Sequence, residues 1–186
     1  MNKESVRCFL GVPLDVKVNA VLDQKVNALA LLPAARRVRW VDAANRHLTL
    51  AFLGEQPLAA LFDLQAALQV LCSSFPAFEL SSQRISGFPD AKSSIVALEM
   101  EPAESLVKLV TAIQSVLAAQ GLPVETRGYR PHVTLGRLPR GQSWKQPSQA
   151  CELLLVVNKV VLYQSRLTTA GAEYSPLWSL PLPTDR

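Results

Sequence analysis

The chain has 186 residues, 49% apolar and 18% charged, enough to bury a sizeable core and unlike disordered or fibrous sequences. A net charge of +4 is a mild basic excess, which tolerates a polyanionic partner without requiring one. Cys8, Cys72 and Cys151 are odd in number and free of C-x-x-C spacing, which argues against a disulfide framework or a zinc cluster and points to a reducing cytoplasm.

In chain order, the opening M-N-K-E-S-V-R-C-F-L-G is too short in its apolar run for a signal peptide, and proline or charge interrupts every later candidate for a membrane span. "VRCFLGVPL" reads as a buried strand. Asp15 is placed to cap a helix over residues 16–32, where Val18, Leu22, Val26 and Leu29 recur at helical spacing and Pro33 ends the run. "RVRWVD" alternates as a short strand, and "HLTLAFLG" follows as a strand closed by Gly54. Leu61, Leu64, Leu68 and Leu71 mark a second helix. "FELSSQRISGF" and "SIVALEM" read as strands, and Leu106, Leu109, Ile113 and Val116 mark a third helix opened by Pro102 and closed by Gly121. "HVTLGRL" is the next strand, and after a polar loop "ELLLVVNKVVLYQSRL" and "YSPLWSLPL" read as two closing strands.

The two histidines of the chain carry the functional signal, because both open the same phrase: H-L-T-L at 47–50 and H-V-T-L at 132–135, 85 positions apart (132 − 47). A strand places side chains i and i+2 on one face, so His47, Thr49 and Ala51 are expected on one face with Leu48, Leu50 and Phe52 in the core. His132, Thr134 and Gly136 repeat the arrangement against Val133 and Leu135. A solitary histidine is more often a packing residue, and threonine alone is an ordinary strand former. Matched pairs near half the chain apart instead suggest two lobes of similar build that bring two imidazoles and two hydroxyls together.

Two imidazoles supply a base and an acid at once near neutral pH. Threonine hydroxyls suit the non-bridging oxygens of a phosphate whose charge grows in the transition state. This is chemistry for a strained phosphoester such as a cyclic phosphate. Too few Asp, Glu or Cys accompany the histidines to build a zinc or iron site, and no G-x-S-x-G elbow is present for a serine hydrolase.

The phrases H47-L-T-L and H132-V-T-L resemble the paired HxTx motifs of the two-histidine (2H) phosphoesterases. With their flanks, N45-R-H-L-T-L-A-F-L-G-E and R130-P-H-V-T-L-G-R-L, and L162-Y-Q-S-R-L and G171-A-E-Y-S-P-L further on, the chain is similar to the RNA 2',3'-cyclic phosphodiesterases, also called 2'-5' RNA ligases. The resemblance implies an α/β (α+β) bilobal fold over residues 1–186: two pseudo-twofold-related lobes of antiparallel sheet, helices outside, and a central cleft with one motif from each lobe. It implies opening of RNA 2',3'-cyclic phosphate ends to 2'-phosphates; the chain is further expected to act without metal or cofactor, as a cytoplasmic monomer with no membrane partner. His47 would be the proton donor and His132 the proton acceptor. Thr49 and Thr134 would hold the phosphate, and Arg130 would add a charge-assisted contact. Formation or cleavage of 2'-5' linkages as the main role, or non-catalytic binding of RNA ends or nucleotides, are the alternative functions. Where many relatives carry an aromatic followed by a small residue, this chain has Ala97 and Leu98. Phe52, Phe88, Tyr129 and Tyr163 are therefore the candidates for stacking on a base. Arg46 stands where the family often has an apolar residue, and strand alternation turns it away from His47.

Overall fold

The computed structural model of the chain describes residues 4–169 and 171–184. Ten strands and three helices follow one another: β1 (Ser5–Pro13), α1 (Val16–Ala30), β2 (Arg39–Trp40), β3 (His47–Pro57), α2 (Leu58–Ser73), β4 (Phe78–Phe88), β5 (Ile95–Met100), α3 (Glu104–Ala119), β6 (His132–Arg137), β7 (Gln149–Ala150), β8 (Leu154–Val157), β9 (Lys159–Thr168) and β10 (Gly171–Pro181). All pairings are antiparallel. The strand order β10-β9-β1-β3-β6-β5-β4-β7, with β2 added to β6 and β8 to β4, puts the two histidine strands side by side in the middle. Four strands of this path lie on each side of the β3/β6 seam. No helix among the described residues is long and apolar enough to cross a membrane.

The helices form where the apolar spacing predicts. Asp15 Oδ1 accepts the Val18 N–H at 2.8 Å, capping α1 as expected, and Val18, Leu22, Val26 and Leu29 are its buried stripe. The stripes of α2 and α3 end one residue further on than the leucine and valine spacing suggests, with Cys72 and Leu117 buried in place of Leu71 and Val116. The long apolar run from Glu152 is not one strand. It breaks at Asn158, because β8 pairs with β4 on one side of the sheet while β9 pairs with β1 on the other. The predicted strand over "RVRWVD" shrinks to Arg39–Trp40, and β3 continues past Gly54 to Pro57.

Strict alternation fails at matching points on the two histidine strands. Along β1 and β3 the register shifts between Leu10↔Ala51 and Gly11↔Thr49; along β5 and β6 it shifts between Val96↔Gly136 and Ala97↔Thr134. Each shift is a bulge that gives the histidine strand one extra residue, Leu50 in one and Leu135 in the other. A second shift follows on β3, at Leu53. In consequence Phe52, expected in the core, is 65% exposed, and Leu53 is buried instead. The bulges recur at the same offset as the histidines, so the two halves share a backbone irregularity as well as a motif.

Gly136 shows why this strand accepts so little bulk: a Cβ there would lie 2.6 Å from Val38 Cγ1 and 2.9 Å from Trp40 Cε3. Trp40 in turn meets the fully buried Trp144 edge-on, with ring centroids 6.2 Å apart. Gly136→Ala is expected to cost about 1–3 kcal/mol through overpacking, read as a lowered denaturation midpoint; unchanged stability would refute the close fit.

Candidate active site

The site sits where β3 and β6 touch. Their pairing is a single bridge, Leu48↔Val133, both fully buried. Carrying that register one residue each way sets His47 opposite Thr134 and Thr49 opposite His132. Leu48 and Val133 take the core face, so all four polar side chains share the other face, at the corners of a rectangle. The imidazoles occupy one diagonal and the hydroxyls the other. Diagonal neighbours on adjacent strands are about 7–8 Å apart, enough for a phosphorus with an oxygen on each side.

Both rings are held the same way. His47 Nδ1 lies 2.8 Å from the Asn45 carbonyl oxygen, and His132 Nδ1 lies 2.9 Å from the Arg130 carbonyl oxygen. A carbonyl oxygen only accepts, so each Nδ1 carries the hydrogen and donates it. Each Nε2 is then left with a lone pair when the ring is neutral and with a proton to give when it is charged. Among the described residues neither the Thr49 nor the Thr134 hydroxyl has a hydrogen-bond partner, although both residues are half-buried.

The surroundings of the two imidazoles differ. His47 sits in an aromatic cage: Phe9 at 4.5 Å, Tyr174 edge-on at 5.0 Å and Tyr163 at 5.9 Å between ring centroids. A Cβ at Gly11 would come within 3.1 Å of the Leu48 carbonyl oxygen and 3.5 Å of the His47 ring, so glycine lets β1 run close beside the site. His132 stacks on Phe88 at 3.9 Å and 22°, and Glu99 is its partner on β5. Glu99 accepts from Ser86 Oγ at 2.6 Å and from Arg84 Nε at 2.9 Å, and lies 3.6 Å from Arg130 Nη2.

These environments set the protonation states. Burial lowers His47 from 6.5 to about 4; the Asn45 carbonyl works against that, and the charges of His132 and Arg137 add to it. Burial lowers His132 too; the Arg130 carbonyl opposes it, Arg137 and Arg130 reinforce it, and Glu99 opposes it. Burial also pushes the Glu99 carboxyl up, but hydrogen bonds from Ser86 and Arg84 and the charges of Arg84 and Arg130 outweigh it, holding Glu99 below its ordinary value.

The remaining predicted residues have definite places. Arg130 precedes β6; its Nη1 donates to the Pro89 carbonyl at 3.0 Å and its guanidinium lies 4.8 Å above the Phe88 ring. It is therefore already engaged beside His132. Arg46 is turned away from the site and buried, 2.7 Å from Asp23 as an ion pair. Of the stacking candidates, Phe88 packs on His132, Tyr163 stacks on Phe9 at 5.2 Å, and Tyr129 donates its hydroxyl to the Thr49 carbonyl at 2.9 Å. Phe52 alone keeps an open ring on the site face, opposite Phe9. Ala97 is fully buried opposite Thr134. Sequence reasoning missed Phe9, Tyr174, Glu99 and Arg137 as neighbours of the histidines. Only Arg137 left a trace, as the fifth residue after His132, just as Phe52 is the fifth after His47. No group of three or more His, Cys, Asp or Glu side chains among the described residues is arranged to hold a metal ion.

The depressed pKa of His47 has a stability consequence. Between pH 6.5 and about 4 the unfolded chain protonates this histidine and the folded protein resists, so stability falls as pH is lowered through that window. His47→Gln should flatten the fall by up to one proton in the slope of unfolding free energy against pH; identical slopes would contradict the buried, neutral state.

The model of the 2'-5' RNA ligase superfamily matches residues 21–167. An Escherichia coli protein named RNA 2',3'-cyclic phosphodiesterase is 31% identical over 182 residues, covering 95% of this chain and 98% of its own length. A Bacillus subtilis protein of the same name is 26% identical over 164 residues, covering 86% and 87%. The crystal structure of E. coli LigT complexed with 3'-AMP superimposes with a TM-score of 0.80 at 26% identity, covering 96% of this chain and 99% of that one.

Proposed function

The chain belongs to the 2'-5' RNA ligase superfamily, and from that membership we propose that it hydrolyses RNA 2',3'-cyclic phosphate ends to 2'-phosphomonoesters by metal-independent acid–base catalysis. The observation that carries this reading is the matched anchoring of both imidazoles: each Nδ1–H is committed to a backbone carbonyl, leaving two Nε2 atoms on a diagonal with two unpartnered hydroxyls between them.

His132 Nε2 takes a proton from water as the water oxygen attacks phosphorus. The P–O3' bond breaks on the far side, and His47 Nε2–H protonates the departing O3', leaving the phosphate on O2'. The diagonal places donor and acceptor on opposite sides of phosphorus, as an in-line displacement requires. Thr49 and Thr134 donate to the non-bridging oxygens, whose negative charge grows as the bond to water forms. Arg137 adds positive potential. Arg130 supports the same end of the site through Glu99 and Phe88, and Phe52 offers its exposed ring to the terminal base.

His47 is neutral in the free protein at pH 7, so it takes up a proton from solvent as the substrate binds. An anionic phosphate beside Nε2 favours the imidazolium form and raises the pKa from about 4. With the 5'-hydroxyl of a second RNA in place of water, the same transfers form a 2'-5' linkage. A protein that only held RNA ends would gain nothing from fixing the tautomer of two histidines.

Purified protein in EDTA should convert a cyclic-phosphate-ended oligonucleotide into a 2'-phosphomonoester. His47→Ala and His132→Ala should each lose about 10²-fold or more, and full activity in both variants would overturn the mechanism. Both histidines are lowered, and kcat/KM reports the free protein with one ring protonated. It should therefore peak below pH 6.5 and fall about tenfold per unit above it; a flat profile from pH 6 to 8 would speak against a histidine donor.

A further inference from the structure

Beyond the four motif residues, the site face carries a charged pair that packing does not explain. β2 pairs with β6 so that Arg39 stands directly opposite Arg137 and Trp40 opposite Gly136. Arg137 is also opposite Ile95 on β5, which shares its face with Ala97 and Glu99, the partners of Thr134 and His132. Trp40 packs on the core side, so Arg39 and Arg137 both project from the face that holds the histidines. Like charges directly opposite on neighbouring strands repel. Among the described residues neither guanidinium has an ion-pair or side-chain hydrogen-bond partner that would relieve this, whereas Arg46, Arg84 and Arg130 are all paired with carboxylates. Both are exposed. Arg137 is near enough to the catalytic rings to lower both histidines. Two guanidiniums without a carboxylate partner lie on one face, that of Arg39 with Nη1 beside Gly171 at the start of β10, and each carries the planar fork of donors with which arginine binds phosphate oxygens.

We propose that Arg39, together with Arg137, forms a second anion subsite that takes the phosphodiester immediately 5' of the terminal nucleotide, making an RNA chain rather than a free cyclic nucleotide the preferred substrate. Arg137 lies three residues beyond Thr134 with a bulge between, about 7–10 Å along the strand, comparable with the spacing of successive phosphates in an extended chain. The subsite deepens the hydrolase reading and rests on it for the position of the cyclic phosphate. Arg39 is a specificity residue: it acts on a part of the substrate remote from the bond that breaks, and binding there repays the repulsion between the forks.

The test compares a nucleoside 2',3'-cyclic phosphate with a dinucleotide ending in the same cyclic nucleotide, at low and high salt. The wild type should favour the dinucleotide by about tenfold in kcat/KM, the worth of one charge-assisted hydrogen bond, and the preference should shrink as salt rises. Arg39→Gln should abolish the preference, while Arg36→Gln, an exposed arginine off the strand, should keep it. Equal kcat/KM for the two substrates in the wild type, or a preference that survives Arg39→Gln, would overturn the subsite. A binding arm separates this from the hydrolase reading. It measures the affinity of a dinucleotide with a 2'-phosphate end against that of the mononucleotide 2'-phosphate. An Arg39-dependent gap in affinity without turnover of either cyclic substrate would sink the hydrolase reading and leave the subsite standing; no gap would sink the subsite.

Discussion

Everything at the site depends on the contact between Leu48 and Val133. It is the only backbone bridge between the two histidine strands, and both side chains are excluded from solvent. Because they take the core face, each fully buried side chain being worth about 1.5–3 kcal/mol, the residues on either side of them must take the other. One apolar pair thus fixes the direction of four polar side chains. The bulges at Leu50 and Leu135 then end this strict alternation just beyond each threonine, so the constellation is bounded on both strands by the same irregularity.

The two halves share a backbone plan and differ in what surrounds it. The position across from His132 on β5 is Glu99, while the position across from His47 on β1 is Pro13. Aromatic rings desolvate His47, and an ionic network of Arg84, Ser86, Glu99 and Arg130 stands beside His132. Chemically equivalent imidazoles therefore face different media. Burial among the rings favours the neutral form of His47, while the Glu99 carboxylate across from His132 favours its charged form, so equal motifs sit in unequal fields.

Much of this was legible in the sequence. The doubled H-x-T-L phrase identified both strands, their facing side chains and the family, because a period-two pattern fixes direction without knowledge of the partner strand. Most strand and helix positions followed from apolar spacing. What escapes is set by contacts across the sheet: a bulge is invisible in a single strand, so alternation alone places Phe52 in the core. The break at Asn158 depends on which neighbours β8 and β9 find. The neighbours of the histidines escaped for the same reason, since Phe9, Glu99 and Tyr174 reach the site through pairings between distant segments. Arg130 shares the polar face by its spacing of two from His132, and its side chain is engaged with Pro89, Glu99 and Phe88.

The seam has a further consequence for the order in which the molecule becomes competent. Its two strands are separated in the chain by α2, β4, β5 and α3, and closing so long a loop costs entropy that local contacts do not offset. A chain emerging N-terminus first holds His47 and Thr49 well before His132 exists. At that stage it has one imidazole, one hydroxyl and no second motif across the seam. Splitting the constellation between distant segments couples activity to completed folding, so that an incomplete chain lacks the means to act on RNA ends.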